Sequence, residues 1–275
     1  MSNSIRRTAL LAAVALPAAL GAQSASAALI TEWNYQIDSA FTSFTDTIGT
    51  GSGVVGSAPN AEFGAPSQLS WGVPSPAGGD QSSIGIQSDV DGTGLETNDL
   101  AGVPGATFTH DNNVITAASS ILDTFQLSTQ LMLTQAAPPG PGEEDVGPIT
   151  FNGFFNETRN APTCVEGSVS VCDDIFVLGN AGNIGALGAG QSFVIEDYQY
   201  TVFLDIDGVD TLTDAQCDAA DADPGCVGFL TREDTLNRFT STVTIEATEI
   251  PTPGVLALLG VGLLGLGFAR RGRQG

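Results

Sequence analysis

The 275-residue chain has no lysine, one histidine and eight arginines against 31 aspartates and glutamates. Without lysine there is no Schiff base and no Walker-type phosphate loop. Without clustered basic residues between the two ends, a phosphate backbone cannot be neutralised, so nucleic acid is excluded as a partner. No Gly-x-Ser-x-Gly elbow accompanies the lone histidine, which leaves it without the nucleophile context of a hydrolase. Glycine and proline, 34 and 14 residues, fall short of the roughly 25–30% that marks a disordered low-complexity chain. The middle of the sequence also lacks any long apolar stripe at a 3.6-residue period, and helices are not expected there.

The two ends carry addresses. Arg6 and Arg7, the apolar run from Thr8 to Leu20, and Ala25 and Ala27 around Ser26 supply the charged, apolar and cleavable parts of a signal peptide over residues 1–27. The run is too short for an N-terminal membrane anchor. Thr8-Ala9-Leu10 lacks the Phe-Leu-Lys context of a twin-arginine signal, which favours general secretion and cleavage by signal peptidase. Residues 251–275 hold Pro251, Thr252 and Pro253, an apolar run from Val255 to Ala269, and then Arg270, Arg271 and Arg273. As a helix the sixteen residues Gly254–Ala269 reach about 24 Å, short of the roughly 30 Å hydrocarbon core, a mismatch met by bilayer thinning and snorkelling arginines. Those arginines stay cytoplasmic and leave the bulk of the protein outside, the topology the signal peptide also gives.

Between the addresses, residues 28–250 form the expected folded domain. Ala28 to Pro253 keeps all 31 acidic residues and only Arg159, Arg232 and Arg238, three positive charges against 31 negative, net −28. Such a surface repels other polyanions and suits a salty or cation-rich medium. Period-two alternation marks strands at Leu29–Ile37, Gln68–Gly72, Ser83–Ser88, Thr107–Ile115, Thr124–Thr134, Ile149–Asn156, Asp174–Leu178, Ser192–Asp205 (bent near Asp197) and Phe239–Thr248. Nine or more strands without intervening helices predict an all-β domain, a β-sandwich or jelly roll. It is flanked by the signal helix and the transmembrane tail helix. Gly49–Pro66 and the proline-rich Ala136–Gly147 read as loops, the second unfit to pair as an inner strand.

Cys164, Cys172, Cys217 and Cys226 point to disulfides in an exported protein, and four cysteines allow three pairings. Their spacings fit no short zinc knuckle. Calcium is the one candidate cofactor. Asp89 and Asp91 open an EF-hand-like run with Gly94 at the turn but Leu100 in place of the bidentate glutamate. Asp205, Asp207 and Asp210, and Asp218, Asp221 and Asp223, are two further acidic turns offering hard oxygen ligands. His110-Asp111 could pair catalytically, yet a satisfied polar residue at a strand end or turn is the better reading.

The Pro-x-Pro motif, short Gly/Leu helix and arginine cluster of residues 251–275 resemble the PEP-CTERM sorting signal of Gram-negative bacteria, with Thr252 where the motif has glutamate. The resemblance implies cutting near Pro251–Gly254 by the membrane protease exosortase; a permanent tail anchor is the alternative. Thr109-His110-Asp111-Asn112 is similar to the Thr-His-x-Asn signature of the THxN family of these proteins, with Thr109, His110 and Asn112 as its named positions. Trp33, Tyr35, Leu69-Ser70-Trp71-Gly72 and Phe155-Asn156-Glu157-Thr158-Arg159-Asn160, ahead of Cys164 and Cys172, also resemble that family. The resemblance implies a processed surface or matrix protein with no assigned catalysis, associated with exopolysaccharide. A carbohydrate-binding or carbohydrate-active sandwich, with paired carboxylates and a groove lined by Trp33, Trp71 or Tyr198, is the alternative.

Overall fold

The computed structural model describes residues 28–140, 142–158, 164, 167–170, 172–180 and 190–251. In chain order the strands begin β1 (Glu32–Asp46), β2 (Val55–Pro59), β3 (Pro66–Trp71), β4 (Ser82–Ile86), β5 (Asp89–Glu96), β6 (Val103–Asn112) and β7 (Leu122–Ala137). There follow β8 (Glu143–Asn156), β9 (Asp174–Asn180), β10 (Gln191–Ile195), β11 (Tyr198–Ile206), β12 (Asp210–Thr211), β13 (Cys226–Thr231) and β14 (Thr235–Glu249). A short helix, α1 (Asp214–Ala219), sits between β12 and β13.

The strands form two seven-stranded sheets, ordered β12-β13-β9-β8-β7-β1-β5 and β10-β11-β14-β6-β4-β3-β2. Every strand pair within them is antiparallel. The domain is therefore a β-sandwich, and the chain changes sheet repeatedly along its length. Alternation explains the layers, since each strand turns one face to the other sheet. On β14, Ser241, Val243 and Ile245 are buried while Thr240, Glu246 and Thr248 are exposed. Two core clusters follow one another along the strands. Trp33, Tyr35, Leu133, Tyr200 and Ile245 anchor the first; Phe41, Leu69, Trp71, Phe108 and Phe176 anchor the second. Each such side chain contributes roughly 1.5–3 kcal/mol by leaving water.

Glycines inside strands make room for rings. A Cβ at Gly153 would collide with the Phe125 ring across the β7–β8 ladder, and one at Gly92 with the Tyr35 ring. Asp89–Glu96, the start of the EF-hand-like run, is thus an edge strand whose Gly92 covers the buried Tyr35 ring. Gly49–Pro66 likewise contains β2, which pairs with β3. The proline-rich segment is the tip of a hairpin, with β7 running to Ala137 and β8 starting at Glu143. Glu143–Val146 pairs with β7, while β9 meets β8 at Phe154–Asn156. That outer stretch is where a β8 proline is tolerated.

Both disulfides join sequence neighbours, Cys164 to Cys172 and Cys217 to Cys226. The second tethers α1 to β13. Thr213 caps that helix with a reciprocal box, its hydroxyl accepting from the Gln216 amide while the Gln216 side chain accepts from the Thr213 amide at 2.8 Å.

Candidate functional site: a polar clasp between the sheets

On β6, period two turns Ala106, Phe108, His110 and Asn112 inward. The first two feed the apolar core, and the last two carry polar groups into the same layer at the end of the strand. Both are 0% exposed, so they need partners from the facing sheet. Thr231 on β13 supplies them. His110 Nδ1 lies 2.8 Å from Thr231 Oγ1, and Asn112 Nδ2 donates to the Thr231 carbonyl at 3.2 Å. Thr231 Oγ1 in turn donates to the Asp174 carbonyl at 3.3 Å. With its one proton directed there, the hydroxyl accepts from Nδ1, which fixes the neutral imidazole with its proton on Nδ1 and a lone pair on Nε2.

That lone pair faces Asp174 on β9, with Nε2 and Oδ2 4.0 Å apart and both side chains sealed from solvent. Neither atom has a hydrogen-bond partner among the described residues. The other oxygen, Asp174 Oδ1, accepts from the Thr158 amide at 2.8 Å, and the Thr158 hydroxyl donates to the Cys172 carbonyl at 2.6 Å. The Cys164–Cys172 bridge is thereby tied to the clasp. Asp173 holds the turn beneath it, accepting from the Val169 and Ser170 amides.

A second tie lies beside the first. Trp71 on β3, 0% exposed, donates from Nε1 to Glu157 Oε2 at 2.9 Å, again from one sheet to the segment following a strand of the other. Its indole stacks on the His110 ring at 5.8 Å, and Phe155 meets both edge-on. Glu157 and Thr158 also form one wall of a cleft of about 580 Å³, whose other walls are Thr47 and Ile48 from the β1–β2 turn and Val114 to Ser119 with Ile121 from the β6–β7 connection.

Electrostatics at this end depart from the ordinary. Burial, with the nearby Glu233 charge adding to it, pushes the Glu157 carboxyl up to about 8 against the pull of the indole hydrogen bond. Burial, then the charges of Glu157 and Glu233, likewise hold Asp174 well above the carboxylate range. Burial lowers His110 to about 3. Near neutrality Glu157 therefore keeps its proton and His110 is uncharged, and Asp174 is displaced toward its own neutral form, the cheaper state for ionisable groups removed from water.

The sequence-predicted residues separate into three sets. His110, Asn112 and the Cys164–Cys172 bridge come together; Thr109 faces the other way, donating to the Gly85 carbonyl within its own sheet. His110 thus lies near the end of strand β6 rather than in a turn and is engaged through Nδ1, while Nε2 has no hydrogen-bond partner among the described residues. The candidate calcium ligands do not converge. Asp89 and Asp91 are exposed on edge strand β5, and Asp205 is exposed on β11. Asp207 accepts from Thr240 and Asp210 from the Thr211 amide, while Asp218, Asp221 and Asp223 are exposed around the end of α1. Among the described residues no three His, Cys, Asp or Glu side chains are gathered as a metal requires. Trp33 and Trp71 are core residues, not groove walls.

Pro251 is the last described residue. Ala25, Ala27, Thr252, Pro253, Arg270, Arg271 and Arg273 lie outside the described residues, among which no helix is long and apolar enough to cross a membrane. Sequence reasoning placed Glu157 only within a family-like run and gave no role to Asp174 or Thr231. Alternation from Ala106 through Asn112 was the signal available for the inward turn of His110. Compared with known families and with curated proteins, the chain matches no family model and no curated sequence.

Proposed function

We propose that the protein is an exported, exosortase-processed surface or extracellular-matrix component of a Gram-negative bacterium. In this role the acidic, jelly-roll-like sandwich is a stable, non-enzymatic body in an exopolysaccharide-bearing layer. The observation that carries the reading is the direction of the signature: His110 and Asn112 point into the molecule and are engaged by Thr231 of the opposite sheet, where they hold the sandwich together. Two disulfides support an oxidising compartment. On this reading signal peptidase cuts after Ala27, the tail helix anchors the chain transiently in the membrane, and exosortase then cuts near Pro251–Gly254. Mass spectrometry of the protein from an exosortase-bearing host should find a C-terminus near Pro253 and no Arg270–Arg273 peptide. Intact tail on all of the mature protein overturns the processing step.

One observation favours a second reading, a carbohydrate-active sandwich. Glu157 borders the 580 Å³ cleft and keeps its proton near neutrality, as a glycosidase acid must. Release of sugar from the host's own exopolysaccharide, abolished by Glu157→Gln, would select this reading; no release by the native protein would remove it.

A further inference from the structure

The sequence leaves few groups that titrate near neutrality. It has one histidine and no lysine, and all four cysteines are in disulfides. Burial raises Tyr35 and Tyr200 above their ordinary value of 10.0. Apart from the chain's own amino terminus, proton uptake or release between about pH 6 and 9 therefore has to come from displaced groups, and the clasp gathers them. Glu157 follows β8, Asp174 sits on β9, His110 comes from β6, and Glu233 lies between β13 and β14, with its neighbour Arg232 exposed. Asp173 beside Asp174 is occupied by two amides.

The His110 lone pair and Asp174 Oδ2 face each other at 4.0 Å in a sealed space, so an Asp174 proton has a basic nitrogen in front of it and no solvent beside it. Glu157 has one oxygen pinned by the Trp71 indole, and its side chain lies at the wall of the cleft, which gives water a path to its proton.

We propose that the clasp is a proton-binding site: the folded domain holds protons on Glu157 and Asp174, and loosens at this one end of the sandwich when alkali removes them. The sign follows from linkage. Glu157 keeps its proton to about 8 in the folded protein against 4.5 ordinarily, and Asp174 is displaced in the same direction. The folded state therefore binds more protons than the unfolded chain across this window, and its stability falls as pH rises through it. His110 acts oppositely, but only below its ordinary 6.5. The steepest loss therefore lies between 6.5 and about 8, where the carboxyls act without His110 to oppose them. Charging them puts like charges beside Glu233 in one buried space, on the residues that tie Trp71 and Thr158 across to the other strands.

The two tryptophans provide a local test with an internal control. In the ¹⁵N-labelled protein purified after export, the Trp71 indole N–H resonance should move with a midpoint near 8, while that of Trp33, which donates to a threonine hydroxyl, stays put. Over the same range the melting midpoint should fall, and Glu157→Gln, which keeps an acceptor for Trp71 and cannot ionise, should remove the Trp71 shift and reduce the loss of midpoint. A Trp71 resonance unchanged from pH 5.5 to 9, or two indoles moving together, overturns the proposal. An undiminished fall of the midpoint in Glu157→Gln overturns it as well. If that variant does not fold, the wild-type titration decides alone.

Discussion

Each end of the sandwich buries one tryptophan completely, and the two ends satisfy it differently. At the first end Trp33 Nε1 donates to the Thr97 hydroxyl at 3.0 Å, which passes its own proton to the Ile30 carbonyl. The neighbouring ties between sheets are also neutral: the Ile30 amide to Tyr200 Oη, and Tyr35 Oη to the Pro104 carbonyl. At the second end Trp71 donates to a carboxyl group, beside a histidine and a second carboxyl group. The same ring, equally buried, thus sits among groups that stay neutral through pH 9 at one end and beside carboxyl groups that can charge in that range at the other. Packing contributes similarly at both; sensitivity to pH belongs to one.

The largest expected effect is removal of either indole. Trp33→Ala and Trp71→Ala should each lose about 3–5 kcal/mol in urea denaturation, through cavity formation and lost burial. The Trp33 deficit should be the same at pH 6 and 9. The Trp71 deficit should grow at the higher pH, because ionised Glu157 then lacks its indole donor; equal deficits would erase the distinction between the ends.

Next come the disulfides, each closing a short loop and contributing about 2.5 kcal/mol by loop-closure entropy. Replacing both Cys217 and Cys226 by serine should lower stability without moving the Trp71 indole resonance. The same change at Cys164 and Cys172 should lower stability and also move that resonance, because the Cys172 carbonyl holds Thr158. A smaller effect, about 1 kcal/mol, is expected for Tyr200→Phe, which deprives the Ile30 amide of its acceptor; equilibrium unfolding should give the same loss at pH 6 and 9. Smallest is calcium. With the acidic turns dispersed, calcium should raise the melting midpoint no more than sodium chloride of matched ionic strength, and a specific rise would show that carboxylates converge on the ion after all.

The strands were legible where alternation was clean, as in Phe239–Thr248, because a half-buried strand writes its two faces into the sequence. β5 was not, since Asp89, Asp91, Gly92 and Gly94 have the composition of a turn. Only the Tyr35 ring beneath Gly92 explains why such residues form a strand, and that neighbour is remote in sequence. β13 is short, follows Pro224 and Gly225, and gave no periodic signal. The inward turn of His110 and Asn112 was open to inspection, as both share the parity of Phe108. Their partners were not, because Thr231 is over a hundred residues away and reaches them only through the order of strands in the opposite sheet. The disulfide pairing agreed with nearest-neighbour closure, which needs no tertiary information.

The position of β14 has a consequence for how the protein is made. This strand, the last among the described residues, lies inside its sheet, with β11 on one side and β6 on the other. Until Thr235–Glu249 arrives, β10-β11 and β6-β4-β3-β2 are two separate pieces with no ladder between them. In the other sheet the delay is smaller, since β9 already pairs with β8 and only its outer edge and the two-residue β12 wait for β13. A chain emerging amino terminus first therefore exposes unpaired edges on both pieces until its final fifteen-residue strand is inserted, a long-range closure of the kind that is slow and prone to misassembly. Truncation before Thr235 should then yield no smaller folded domain, only a chain that aggregates.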